Sequence, residues 1–194
     1  MPSTLGVAPS SFTARSRAGR QWQRRFPDST ATFLDWTIDA VALLDHLAPA
    51  MRRARLSSRW MTNLTTNHPD ALAQLDLLLG DGESMLDDGR VFLYVCPDCS
   101  DLWCGTISTE LVVTRELVHW GAIGFQTPGR PPEIFAPAEH VTFARPQYEN
   151  VLTELRLRFA RRGGAEIVAS AEGPVAQSRP RRRPPRPRAE EVVD

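Results

Sequence analysis

The chain has 194 residues, 42% of them hydrophobic, and a formal net charge of 0, enough for one domain with a buried core or two small ones. No apolar run approaches the roughly 20 residues that cross a bilayer, which excludes a membrane-spanning helix. All 23 basic residues are Arg, which excludes lysine chemistry such as a side-chain Schiff base.

The zero net charge hides a partition. Residues 1–25 carry five Arg and no acid, and 179–188 carry six Arg, whereas 26–176 carry 12 Arg against 20 acidic residues, a net of −8. An acidic body argues against a broad nucleic-acid-binding face, because a phosphate backbone rewards concentrated positive charge. The basic residues near the N-terminus have no apolar segment after them to make a secretory signal, so a cytoplasmic location is expected.

In chain order, the first predicted unit is a flexible basic arm over 1–29, rich in Ser, Ala, Gly and Arg, with Trp22 as an anchor. A strand is predicted at 31–38, followed by a helix from Ala40 to Leu47, capped by Asp39 and stopped by Pro49. Residues 57–64 read as a short strand. Asn67-His-Pro-Asp70 reads as a turn that starts a leucine-rich helix, with Gly80-Asp-Gly82 ending it. An acidic loop, 82–89, precedes the strand Val91–Val95, where Phe92 and Tyr94 share one face. Strands at 106–114 and 117–125, joined by Arg115-Glu116, form a hairpin and complete a three-stranded meander. The proline-rich 127–137 is a loop, and Val141-Thr-Phe143 an edge strand. A final helix begins near Pro146, with Tyr148, Val151 or Leu152, Leu155 and Phe159 at its apolar spacing, and covers a sheet face. The prolines and arginines after Gly163-Gly164 cannot build a packed core, and 163–194 reads as a disordered tail. The expected fold is therefore α+β: a small antiparallel sheet covered by helices over 30–162, with disordered basic ends.

The chain's three cysteines all fall in Cys96-Pro-Asp-Cys99-Ser-Asp-Leu-Trp-Cys104-Gly105. In a reducing compartment such a cluster points to metal binding or thiol chemistry, not to a disulfide framework. Zinc takes four ligands in tetrahedral structural sites, and C-x2-C spacing turns two thiolates toward one ion. Cys96, Cys99 and Cys104 are three candidate ligands. His119 is the leading fourth because its strand returns along the sheet, with His140, Asp98 and Asp101 as weaker donors. Two other readings stand beside this one. The cysteines can be small apolar residues of a compact loop with no ion. Alternatively, Cys96-Pro-Asp-Cys99 can be a dithiol of a small thiol-dependent redox enzyme, although a hairpin follows it where a thioredoxin-like site would open a helix. There is no Gly-x-Gly-x-x-Gly fingerprint, hence no nicotinamide or flavin motif, and no Gly-x-Ser-x-Gly, His-Glu-x-x-His or Walker motif. The acidic loop lacks the ligand progression of a calcium site.

From Leu78 to about Phe159 the chain resembles a family of small, largely uncharacterised actinobacterial proteins. The resemblance rests on Leu-Leu-Leu-Gly80, the Cys-Pro-x-Cys-x-Asp-x-x-Cys-Gly loop, Val118-His-Trp120 and Phe143-Ala-Arg-Pro-Gln-Tyr148. Ser100 stands where that family's loop has glycine. Members are sometimes labelled oxidoreductase, a label that implies no transferable mechanism. The expected function is a non-enzymatic structural-metal or protein-interaction domain with a protein partner. The Arg-rich tail offers contact to nucleic acid or another polyanion, and no membrane contact is expected.

Overall fold

Short connections dictate the centre of the molecule. In the computed structural model, which describes residues 1–14, 29–56, 60–65, 68–97, 101–135 and 140–162, strands β4 (Val91–Val95), β5 (Thr106–Val113) and β6 (Leu117–Gln126) form an antiparallel meander. The β5–β6 turn is closed by Thr114, whose backbone N–H donates to the Leu117 carbonyl at 2.8 Å and whose hydroxyl accepts from the Leu117 N–H at 3.0 Å. Strands β7 (Glu133–Ile134) and β8 (Val141–Ala144) pair with successive stretches of the other edge of β6 and complete a five-stranded sheet. All five residues of β4 are buried, so this strand is covered on both faces instead of alternating.

A second sheet has the order β1-β2-β3, from β1 (Leu5–Ala14), β2 (Ser29–Ile38) and β3 (Val41–Ala42). This corrects the expectation of a structureless arm over 1–29, because Leu5–Ala14 pairs antiparallel along the whole of β2. The strand was hidden by Gly6 and Pro9, yet each suits its place. A Cβ on Gly6 would sit 2.7 Å from Thr37 Oγ1 on the paired strand, and β1 is an edge, where a proline without N–H is tolerated. Residues 15–28, with Trp22, and the predicted tail 163–194 lie outside the described residues.

The β2–β3 turn holds Asp39 and Ala40 at φ 50° and 66°, the left-handed pair of a two-residue hairpin. It displaces the predicted helix start. Helix α1 (Leu43–Arg53) begins three residues late and runs through Pro49. Its buried residues Leu43, Leu47, Ala50 and Met51 keep the i, i+4, i+7, i+8 stripe across the proline. The missing N–H deprives only the carbonyl of Asp45, an exposed residue, of a helical donor.

Residues 60–65 stitch the two sheets together. Met61 bridges Val95 of β4 and Thr65 bridges Phe33 of β2, and the Thr62 hydroxyl donates to the Leu34 carbonyl at 2.6 Å. Helix α2 (His68–Leu79) starts at the predicted turn and stops at Gly80, φ 82°. Its buried Gln74 donates to the Phe92 and Leu93 carbonyls at 3.3 and 2.9 Å. Helix α3 (Arg145–Arg162) buries Tyr148, Leu152, Leu155 and Phe159, the spacing predicted. Tyr148 Oη accepts from Trp120 Nε1 at 3.2 Å and donates to the Leu78 carbonyl at 2.9 Å, which ties α3 to β6 and α2. Trp120 in turn meets Trp36 of the second sheet edge-on, centroids 6.1 Å apart, so one core serves both sheets. The α+β class with antiparallel strands holds, with two sheets in place of one. No helix among the described residues is long and apolar enough to cross a membrane.

Candidate metal centre at the cysteine loop

The loop 96–105 is the connection between β4 and β5, and its base is fixed by the sheet. Val95 pairs with Thr106, and the Thr106 hydroxyl donates to the Tyr94 carbonyl at 2.5 Å. Cys96 therefore leaves one strand end as Gly105, next to Cys104, enters the neighbouring one. Between them Leu102–Cys104 form a single 3-10 turn, capped by the Asp101 carboxylate, which accepts from Trp103 N at 3.0 Å. Leu102 is buried and pins the turn to the core. Trp103 is 75% exposed.

Gly105 explains why the turn can close. Its φ is 104°, a region L side chains rarely adopt. A Cβ there would lie 2.5 Å from Phe125 Cζ. Phe125 packs against Trp60 with centroids 5.8 Å apart, so the glycine lets the loop base rest on an aromatic pair.

Cys96 is half-buried and Cys104 exposed. Cys99 and Asp98 lie outside the described residues. Among the described residues no group of three His, Cys, Asp or Glu is close enough to hold a metal ion, so the described part of the loop supplies two thiols at its base.

His119 is not brought to these thiols. It pairs with Val112 on β5, six positions beyond Thr106, which at about 3.3 Å per residue places it roughly 20 Å from the loop. Its Nδ1 lies 2.9 Å from Thr142 Oγ1 on β8. In an antiparallel hairpin the end of the second strand returns to the start of the first, and here that end is Phe125-Gln126. His140 is also remote, with its Nδ1 3.4 Å from the Cβ position of Gly121, midway along β6. The Asp101 carboxylate is engaged as the cap.

Two polar clusters carried no signature in the sequence. Arg90, 3% exposed, donates from Nε to Ser108 Oγ at 2.9 Å, from Nη2 to the Ser108 carbonyl at 3.1 Å and to the Ala122 carbonyl, and pairs with Glu110 at 3.4 Å. It thereby holds the irregularity in the β5–β6 ladder, where Ala122 has φ 47°. Gln126 continues the network, accepting from Ser108 Oγ at 2.9 Å and donating to Asp88 at 2.7 Å. The second cluster is Asp35, whose Oδ1 accepts from Tyr94 Oη at 2.7 Å inside the core. Burial pushes the Asp35 carboxyl up to about 6, and pushes the Tyr94 phenol well above its ordinary value. Both clusters join elements of the core. A lone arginine beside a strand or aspartate within one shows its burial only when the strand's neighbours are known.

No protein-family model, curated protein or solved structure matches this chain.

Proposed function

We propose that the protein is a non-enzymatic interaction domain whose β4–β5 loop binds a structural zinc ion through the thiolates of Cys96, Cys99 and Cys104. The observation that carries this reading is the Val95–Thr106 pairing. It sets the two outer cysteines at neighbouring strand ends, so that the third lies in the short loop they bracket. Thiolates at the mouth of a hairpin, with a left-handed glycine after the last of them, are a donor set that suits zinc. The fourth position falls to an oxygen or nitrogen donor, since His119 is remote. A reducing, cytoplasmic setting would keep the thiols available for the ion.

Asp101, three residues before Cys104, adds negative charge to the loop, which favours a bound cation. Elemental analysis of freshly purified protein tests the proposal: about one zinc per chain, lost in Cys96→Ser and in Cys104→Ser, is the expected result. Substoichiometric zinc from metal-replete growth refutes it. Thiol–disulfide exchange activity that disappears in the same variants would support the redox reading instead.

A further inference from the structure

Beside the cysteine loop lies an open cavity of about 550 Å³. Met85, Leu102, Trp103 and Pro128 supply its apolar wall, and Asp87 and Asp101 its carboxylates. Trp103 is 75% and Met85 61% exposed, so the largest apolar groups of the wall face solvent. Neither carboxylate makes an ion pair among the described residues, and Arg130, adjacent to Gly129 at the rim, pairs with neither of them. An exposed indole that lines one cavity with two carboxylates, of which Asp101 already accepts from Trp103 N through Oδ1, is a receptor for a guanidinium, which stacks on the ring face while its N–H groups reach the remaining carboxylate oxygens.

The chain contains the matching ligand. Residues 178–188, Ser-Arg-Pro-Arg-Arg-Arg-Pro-Pro-Arg-Pro-Arg, hold six Arg and four Pro. We propose that this segment docks in cis on the Trp103 cavity, guanidinium over indole and prolines along the apolar wall. This deepens the interaction half of the function proposed above and rests on it, but it does not require the metal. Three observations favour the chain's own segment over a foreign one.

Charge is complementary, since 26–176 carries a net of −8 and the segment is basic. Reach is sufficient. The 15 residues between Arg162, the end of α3, and Ser178 span up to about 50 Å extended, whereas a body of this size has a radius of gyration of only about 15 Å. Finally, a short tether gives an effective concentration near the millimolar range, so a site of only about millimolar affinity is half filled without any partner.

The test uses the full chain labelled with 5-fluorotryptophan, with Trp103→Phe assigning the Trp103 resonance, and a neutral paramagnetic agent reporting its exposure. Three proteins are compared: the natural chain, a full-length variant with all six tail arginines changed to Ser, and Asp87→Asn combined with Asp101→Asn, which retains a capping side chain. The buried Trp36 and Trp120 resonances report that each variant is folded. At about 0.02 M salt the natural chain should show at least about twofold less broadening at Trp103 than either variant, and the difference should vanish near 0.5 M salt. Adding inorganic polyphosphate to the natural chain should bring Trp103 to the exposure seen in the variants. Equal broadening in the natural chain and the tail variant at low salt overturns the proposal. Protection that grows with protein concentration overturns docking in cis and assigns the contact to a second copy. Zinc content plays no part in this readout, so a failure here is distinct from a failure of the metal site.

Discussion

Asp35→Asn should stabilise the protein at neutral pH and not in acid. Asp35 is 5% exposed on β2, and its Oδ1 accepts from Tyr94 Oη at 2.7 Å. Desolvation by burial is the largest influence and raises its pKa from 3.8 to about 6. Asp45 adds a smaller push upward, and the bonds from Tyr94 and the Trp36 backbone pull against them. Below the unfolded value of 3.8 the carboxyl is protonated in both states and subtracts nothing. Between 3.8 and about 6 the unfolded chain ionises while the folded one keeps its proton, so stability falls as pH rises. Above about 6 the loss is complete. At 1.36 kcal/mol per unit, the span from 3.8 to about 6 amounts to about 3 kcal/mol. Asparagine keeps the acceptor for Tyr94 and abolishes ionisation, but it adds an N–H group to bury. The expected net gain is therefore about 1–2 kcal/mol at pH 7, with no gain or a small loss near pH 4. Urea unfolding of both proteins across that range measures the difference directly. A difference that does not change with pH, or natural protein that gains on the variant as pH rises, refutes the reasoning.

Gly105→Ala combines a left-handed backbone with a clash against the Phe125 ring, and should destabilise by about 2–4 kcal/mol and loosen the cysteine loop. Phe125→Ala in that background should recover part of the loss, and a plain additive double variant would count against the contact. Arg90→Met strips donors from the Ser108 and Ala122 carbonyls; a loss of about 2–4 kcal/mol is expected from chemical denaturation, and less than about 1 kcal/mol would mean water replaces them readily. Tyr148→Phe leaves the Trp120 indole N–H and the Leu78 carbonyl without their partner, and should lower stability by about 1–3 kcal/mol. An unchanged thermal midpoint would contradict that role.

The parts of the fold legible in the sequence are those fixed by near neighbours. The strands at 91–95, 106–113 and 117–126 are joined by the cysteine loop and a tight turn, so each carries its own pairing signal. Tyr148, Leu152, Leu155 and Phe159 show their helix by spacing alone. Strand β1 was missed because Gly6 and Pro9 dilute its pattern and its partner β2 follows only after 14 residues. Pro49 was read as a stop because the late start of α1 at Leu43 depends on the Asp39-Ala40 turn, whose positive φ values local composition did not reveal. At the candidate site, the cysteine spacing located the loop between β4 and β5. The placement of His119 failed on arithmetic that the sequence did contain. A hairpin turning at Arg115-Glu116 sets 119 opposite 112 and leaves the far end of β6, not His119, opposite Thr106, the bulge shifting that partner from 125 to Gln126. Arg90 and Asp35 were illegible, since their burial depends on contacts with residues far along the chain.

Zinc K-edge X-ray absorption of the protein as purified tests the central claim most directly. Binding by Cys96, Cys99 and Cys104 predicts three sulfur scatterers at about 2.3 Å and one oxygen or nitrogen at about 2.0 Å. A first shell made only of oxygen and nitrogen, or a sample without stoichiometric zinc, would contradict it.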